Sequence, residues 1–584
     1  METAAEGEFG GNLKRQLEKL FIWAPDPNNA LYLQLSLVAS KGPNRKFGDY
    51  QCNDIVHRLL SLRVPGDYVE QIEKTVVENL PASEMVKSCS VTGPGFINVV
   101  ISAEYMAKSI EKMLINGIDT WAPNLPVKRA VVDFYSPNIA EAIHVGHLRS
   151  PIIGDTLARL LDYSKVEVLR RNHVGDSGTQ LGMLIEYLFE NFPAVLTIQD
   201  LEVSYKLSKK KFDKDPDFKK KAQCAAVLLQ NGDPVYFEAW ARICEISRTE
   251  STKVIQRLQV KLEEKGQSFY IPYIPNMIEE LTTKGLVEEM NGARVISIQD
   301  VKTPLTLVKK DGGFTYRTTD MAALWYRLNE EKAEWIIYVT DAGQREHFDK
   351  LFKAARKAGW LPANDTTYPR ASHVGFGLVR GGEDGRFRSW YSKTVRLVSL
   401  LNEAKACSRM SLLKRGKDKE WTHEELDQTA EAVGDSLVKF ADLKKNRLTS
   451  YTFSYDKMLC DKGKTAVYLL YAHARICSII KKSGKDIDEL KKAGKLALDH
   501  ADERALGLHL LRFSETVEEA CTKLLPHVLC EYLYGLSKQS SKFYKNCQVN
   551  GSAEETSRLL LCEATAIVIR KCFHLLGITP VYKL

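Results

Sequence analysis

Three stretches of different hydrophobic period follow one another along the chain. From about Leu13 to Ser102, apolar positions at helical spacing, first at the N-terminus and again at Asn53 to Leu62, give way to the extended segment Gly93 to Val100. That mixture predicts a small α+β domain. From Lys128 the period shortens: Val131, Val132 and Phe134 form a strand-type run, which Ser136-Pro137-Asn138 breaks. A helix to about Tyr163 and a second apolar strand, Val166 to Arg170, come next. Residues 185 to about 298 read as mostly helical, and a subdomain inserted over a sheet is expected there. The sheet is expected to resume at Leu305 to Lys309 and at Trp335 to Val339, with a further strand at His373 to Val379. From about Asp427 to His574 nearly every window is amphipathic and helical, which predicts a helix bundle. The expected division is 1–125, 126–425 with the insertion at 185–298, and 426–584.

Composition narrows the class. With 584 residues, 44% apolar and 27% charged, the chain is a globular protein of several domains. It has no run of about 18 uncharged apolar residues, so no membrane span is expected. The first residues, METAAEGEFGG, hold three glutamates and no arginine, unlike a presequence, and a cytoplasmic location is expected. Twelve scattered cysteines without a C-x-x-C pair suggest reduced thiols and no protein-held metal. A net charge of +8 permits an anionic partner without requiring one. The lysine-rich stretch Lys206 to Lys221 reads as a solvated face.

Chemistry is suggested at the strand ends. His144-Val145-Gly146-His147 stands at the start of a helix, where unpaired backbone N–H groups favour phosphate. Two imidazoles three residues apart can donate hydrogen bonds to a phosphoryl group as it gains charge; two satisfied surface or core histidines are the other reading, and both stay open. Asn172 to Gln180 is a polar, glycine-punctuated turn at a strand's carboxyl end, the edge where parallel sheets bind ligands. Tyr316 and Asp320 are four apart, so on a helix they share a face and could hold a guanidinium. A capping aspartate beside a packed tyrosine is the other reading, and both stay open. Phe47 and Tyr50 flank a glycine turn and could stack an unpaired base or pack beneath the turn.

Taken in order, these pieces resemble the arginyl-tRNA synthetases, class I enzymes of the eukaryotic cytosolic, plant-like kind. GPGFINV, SPNIA, HVGHLRS, GD-x-GTQ, Tyr316-x-x-x-Asp320, GQ-x-x-HF and Tyr471-Ala472-x-x-Arg475 carry the likeness over nearly the whole chain. It implies an α/β fold: a Rossmann-like catalytic domain with a helical insertion, a small N-terminal α+β domain and a C-terminal all-α bundle. It also implies an arginine–tRNA ligase that uses ATP as substrate with Mg2+ and has L-arginine and tRNA(Arg) as partners, with other synthetases as further candidates. By motif match, Ser136, Pro137, Asn138, His147, Tyr316, Asp320 and Gln344 would hold arginine. His144, Gly146, His147 and Lys393 would bind ATP, with His144 and His147 catalytic. Phe47, Tyr50, Tyr471 and Arg475 would contact tRNA.

The chain departs from the family pattern around ATP. Glu141 stands where the family usually has lysine; a carboxylate about 4 Å from phosphate at an effective dielectric near 20 costs about 4 kcal/mol. Pro151 replaces threonine inside the expected helix, Ser177 replaces the tryptophan of GDWG, and Tyr135 stands in for a small residue. The loop Ser389 to Lys393 carries bulky aromatics. The alternative reading is therefore an impaired or inactive homologue that keeps tRNA or arginine binding.

Overall fold

The structure is a computed structural model, and it describes residues 12–23, 33–40, 47–53, 66–93, 96–191, 197–299, 301, 303–381 and 395–584. Its centre is a five-stranded parallel sheet: β1 (Arg129–Phe134), β2 (Glu167–Asn172), β3 (Glu263–Glu264), β4 (Trp335–Val339) and β5 (Arg370–His373), in the order β5-β4-β1-β2-β3. Every residue of β4 and all but the first of β1 are buried, as both faces of a parallel sheet require. The strand order reverses direction between β1 and β4, so the loops leaving those strands diverge and open a crevice at their carboxyl ends. Helix α1 (Arg149–Tyr163) crosses close over β1. A Cβ at Gly154 would lie 2.2 Å from the Phe134 ring, so only glycine permits that approach.

Two expectations about elements change, and a third falls outside the described residues. Leu305–Val308 does not join the parallel sheet; it pairs with Ala293–Ile296, which pairs in turn with Glu288–Met290, in a separate antiparallel sheet. The cause is legible in Asn291-Gly292, a two-residue hairpin turn with φ of 52° and 78°, which commits this segment to an antiparallel meander. Pro151 breaks no hydrogen bond. Helix α1 begins at Arg149 after a single 3-10 turn at Val145–His147, which puts Pro151 in the first helical turn, where amides have no intrahelical acceptor. The helix expected at Asn53 to Leu62 falls almost wholly outside the described residues.

The insertion is helical as expected and includes the long helix α2 (Pro234–Arg257). Helices α3 (Tyr316–Asn329) and α4 (Arg345–Lys357) flank β4, and α5 (His423–Leu443) leads into a C-terminal bundle that contains α6 (Ala466–Ser483). The N-terminal domain is a four-stranded antiparallel sheet with helices, packed on that bundle. Asp49 accepts from Arg504, and Arg512 donates to the Asp49 carbonyl, across the interface. Among the described residues no helix is long and apolar enough to cross a membrane.

Candidate active site

The turn after β1 is held in an unusual backbone. Tyr135, Ser136 and Ala140 have φ of 75°, 44° and 64°; each such non-glycine residue costs on the order of 1–3 kcal/mol. Neighbouring groups hold the turn. The Tyr135 amide donates to Ser150 Oγ at 2.8 Å and its phenol accepts from Ser251 at 2.9 Å, which buries the bulky side chain under α2. The Ser136 amide donates to Asn172 Oδ1 (3.1 Å), and Ser136 Oγ donates to Asp133 (2.8 Å) while accepting from the His173 amide (2.9 Å). The turns after β1 and β2 also exchange backbone hydrogen bonds, Ile139 to Gly175 and Gly175 to Pro137. A Cβ at Gly175 would meet Asn138 Oδ1 at 2.3 Å, so the glycine of the second turn makes room for the asparagine of the first.

These turns line a cavity of about 1100 Å³. Ser136, Asn138, Tyr316, Asp320 and Gln344, from three separate parts of the chain, all face it. Thr315, not Asp320, caps α3, which removes the capping reading of the aspartate. Asp320 instead lies between two imidazoles: Oδ1 is 2.9 Å from His173 Nε2 and Oδ2 is 2.7 Å from His347 Nε2. An ionised carboxylate only accepts, so both Nε2 atoms carry hydrogen. Burial alone would raise the Asp320 pKa, but the two imidazole hydrogen bonds outweigh it and hold the carboxyl well below the usual range. A fixed negative charge thus sits at the cavity wall, with the half-exposed Tyr316 ring tilted against His347, centroids 5.2 Å apart. Sequence reasoning missed His173 and His347 as partners of Asp320, although both belong to motifs it quoted.

His144 and His147 are not part of this cavity lining, and neither is Pro137. His144 Nδ1 accepts from the Gly146 amide (3.0 Å) and His147 Nδ1 accepts from the His144 amide (3.2 Å), a reciprocal cap of the 3-10 turn. A Cβ at Gly146 would lie 2.6 Å from the His144 ring, so the glycine lets that ring fold back. With both Nδ1 atoms accepting, each imidazole carries its hydrogen on Nε2. Burial, reinforced by His144, pushes His147 down to about 4, so it is uncharged at neutral pH. Both Nε2 atoms lie 3.7 Å from Glu141 Oε1. One atom from each of Glu141, His144 and His147 falls within 4.8 Å of the others, a spacing a metal could bridge. The backbone-set tautomers turn N–H groups rather than lone pairs inward, an arrangement that suits an anion.

The wall lost at Ser177 is partly rebuilt from the insertion. Trp240 of α2 lines the cavity and donates its indole N–H to the Asp176 carbonyl at 2.8 Å, while Ser177 Oγ donates to Gln267. Lys393 and the loop around it lie outside the described residues.

At the putting-together of the N-terminal domain and the bundle, Tyr50 is fully buried and its hydroxyl donates to Glu515 at 3.1 Å. It cannot stack a base, and that expectation is corrected: Tyr50 is the aromatic packed beneath the turn. Phe47 is exposed. On α6, Tyr471 is 43% exposed and the Arg475 guanidinium lies 5.0 Å from its ring centre and 5.3 Å from that of Tyr544, itself 49% exposed. Tyr544, which the sequence reading did not single out, completes a platform of two aromatics and a cation of the kind that takes unstacked bases.

Comparison with known proteins finds three family matches along the chain. Residues 11–101 match the arginyl-tRNA synthetase N-terminal domain, 109–455 the catalytic domain of class I (R) tRNA synthetases, and 469–584 the DALR anticodon-binding domain. An Arabidopsis thaliana protein named arginine–tRNA ligase, chloroplastic/mitochondrial, is 68% identical, with 100% of this chain and 92% of the relative covered. The Arabidopsis cytoplasmic arginine–tRNA ligase is 66% identical, with 99% of each covered. The crystal structure of arginyl-tRNA synthetase from Plasmodium falciparum superposes with a TM-score of 0.84 at 32% identity, over 98% of this chain and 100% of that one. With the catalytic model alone spanning more than half its length, the chain belongs to the arginyl-tRNA synthetases, the class I arginine–tRNA ligases.

Proposed function

We propose that the chain joins arginine to ATP as arginyl-adenylate and passes the arginyl group to tRNA(Arg), with Asp320 as the residue that selects the amino acid. The observation that carries this is the largely buried carboxylate at the cavity wall, ionised through His173 and His347, with Tyr316 and Gln344 lining the same cavity. A guanidinium adds a full positive charge to a carboxylate otherwise held only by two imidazole hydrogen bonds, and a side chain without one forgoes that pairing. Ser136 and Asn138 line the same cavity and would hold the α-amino and carboxylate groups.

In the first step the arginine carboxylate attacks the α-phosphorus of ATP, a P–O bond forms, and the bond to the bridging oxygen breaks to release pyrophosphate. His144 and His147 would donate their Nε2 hydrogens to phosphate oxygens as negative charge builds there. Since His147 is neutral, it contributes a hydrogen bond rather than a full charge. Magnesium, when bound, would supply positive charge to the departing pyrophosphate. In the second step the terminal ribose hydroxyl of tRNA attacks the activated carbonyl and AMP leaves. Tyr471, Arg475 and Tyr544 would hold the anticodon bases, with Phe47 available to a second part of the tRNA.

No observation favours the alternative of an inactive homologue. Incubation of the purified chain with tRNA, ATP, magnesium and arginine should yield arginyl-tRNA; tight tRNA binding without charging would overturn the proposal. A cytoplasmic location is supported by the name of the cytoplasmic plant relative. Recovery of the protein with chloroplasts or mitochondria on fractionation would contradict it.

A further inference from the structure

Glu141 touches both halves of the site. Its Oε1 is equidistant, at 3.7 Å, from the Nε2 atoms of His144 and His147, and its Oε2 lies 3.5 Å from Asn138 Nδ2. The two imidazoles are fixed with Nε2–H toward it by the backbone amides of Gly146 and His144. Asn138 faces the cavity that holds Asp320. One carboxylate therefore stands where a phosphate oxygen would be received and, with its other oxygen, engages the amide of a residue on the amino-acid side. These contacts are long for hydrogen bonds and the side chain is 27% exposed, so it can leave without breaking a tight pair.

We propose that Glu141 is a displaceable latch that couples the two small substrates: ATP phosphate replaces its carboxylate against His144 and His147, and the departing carboxylate frees the Asn138 amide for arginine. The proposal rests on the reading that the histidine pair faces the nucleotide's phosphates. It gives each ligand a reason to favour the other. Whichever binds first removes part of the cost of opening the latch, and by linkage the enhancement is equal in both directions. Simple repulsion between Glu141 and phosphate would weaken ATP but would produce no such coupling.

Calorimetry on the whole chain separates these possibilities, with a non-hydrolysable ATP analogue and L-arginine titrated singly and together into the wild type, E141A, H144N and H147N. In the wild type each ligand should tighten the other about fivefold or more. E141A should bind the analogue about tenfold more tightly than the wild type, and its coupling factor should fall to about one. Unchanged analogue affinity in E141A overturns the latch, and so does a coupling factor that survives the substitution. Should H144N and H147N both bind the analogue as the wild type does, the reading of the histidine pair itself falls, whatever E141A shows. If E141A does not fold, E141D decides: its carboxylate keeps the charge but falls short of the imidazoles, so coupling should weaken, and full coupling would refute the latch.

Discussion

Arg149, the residue after the leucine that follows His147, is paired with Asp442 in the interior, Nε to Oδ1 at 3.0 Å, and both side chains are almost wholly buried. The guanidinium also donates to the carbonyls of Gly377 (2.6 Å) and Thr449 (2.9 Å). This pins the first turn of α1 to α5 and to the strand-end loop at Gly377. Replacing Arg149 with methionine should lower stability by about 3–5 kcal/mol, because Asp442 is left as a buried unpaired charge. Denaturant unfolding measures it, and the double variant R149M/D442L should recover most of the loss.

Asp320→Asn keeps the size of the side chain and removes the charge. We expect kcat/KM for arginine to fall at least a hundredfold, roughly 3 kcal/mol, with little change in KM for ATP. The same variant should alter acid stability. The folded pKa of Asp320 lies below its unfolded value, so its contribution is present above about pH 4 and is lost as pH falls toward the folded value. Melting midpoints taken below pH 4 should therefore drop more steeply in the wild type than in D320N.

Glu515 has the opposite sign. Burial, despite Arg512, pushes its carboxyl up to about 7, so the folded chain holds a proton that the unfolded chain releases near pH 4. Its contribution is complete below the unfolded pKa and declines as pH rises to about 7. Glu515→Gln should flatten that decline and raise stability at pH 8 by roughly 1–3 kcal/mol. A parallel fall in both proteins between pH 4 and 8 would contradict the assignment.

Pro151→Thr should shift the melting midpoint by less than the equivalent of about 0.5 kcal/mol, since the proline occupies a position without an intrahelical acceptor. A gain near 3 kcal/mol, the cost of an interior proline, would mean that the helix runs through the histidine turn.

Tyr544→Ala should raise KM for tRNA about fivefold or more while leaving KM for ATP and arginine unchanged, as expected for the loss of a stacked base. An unaffected tRNA KM would separate the Arg475 platform from tRNA binding.

What the sequence made legible was periodicity and local chemistry. The runs at β1 and β4 and the helical period of the bundle are statements about burial, and burial decided those elements. Leu305–Val308 was misplaced because an apolar run does not name its partner strand; the Asn291-Gly292 turn did name it and was overlooked. In the site, the spacing of Tyr316 and Asp320 gave one face of a helix, but not the imidazoles of His173 and His347, which arrive from other strand ends. Tyr50 shows the converse: a patch that suits base stacking reads the same as one that packs beneath a turn, until Glu515 and Arg512 cover it.

His173 and Asp320 meet across 147 residues of chain. Between them come the entire insertion and the antiparallel meander, so during synthesis Asp320 emerges long after the first two strands. A nascent chain therefore passes through a long interval in which the turns after β1 and β2 exist without the Asp320 wall of the cavity. Because such distant contacts form late in folding, arginine can stabilise only the finished chain, and its presence should slow unfolding while leaving the refolding rate unchanged.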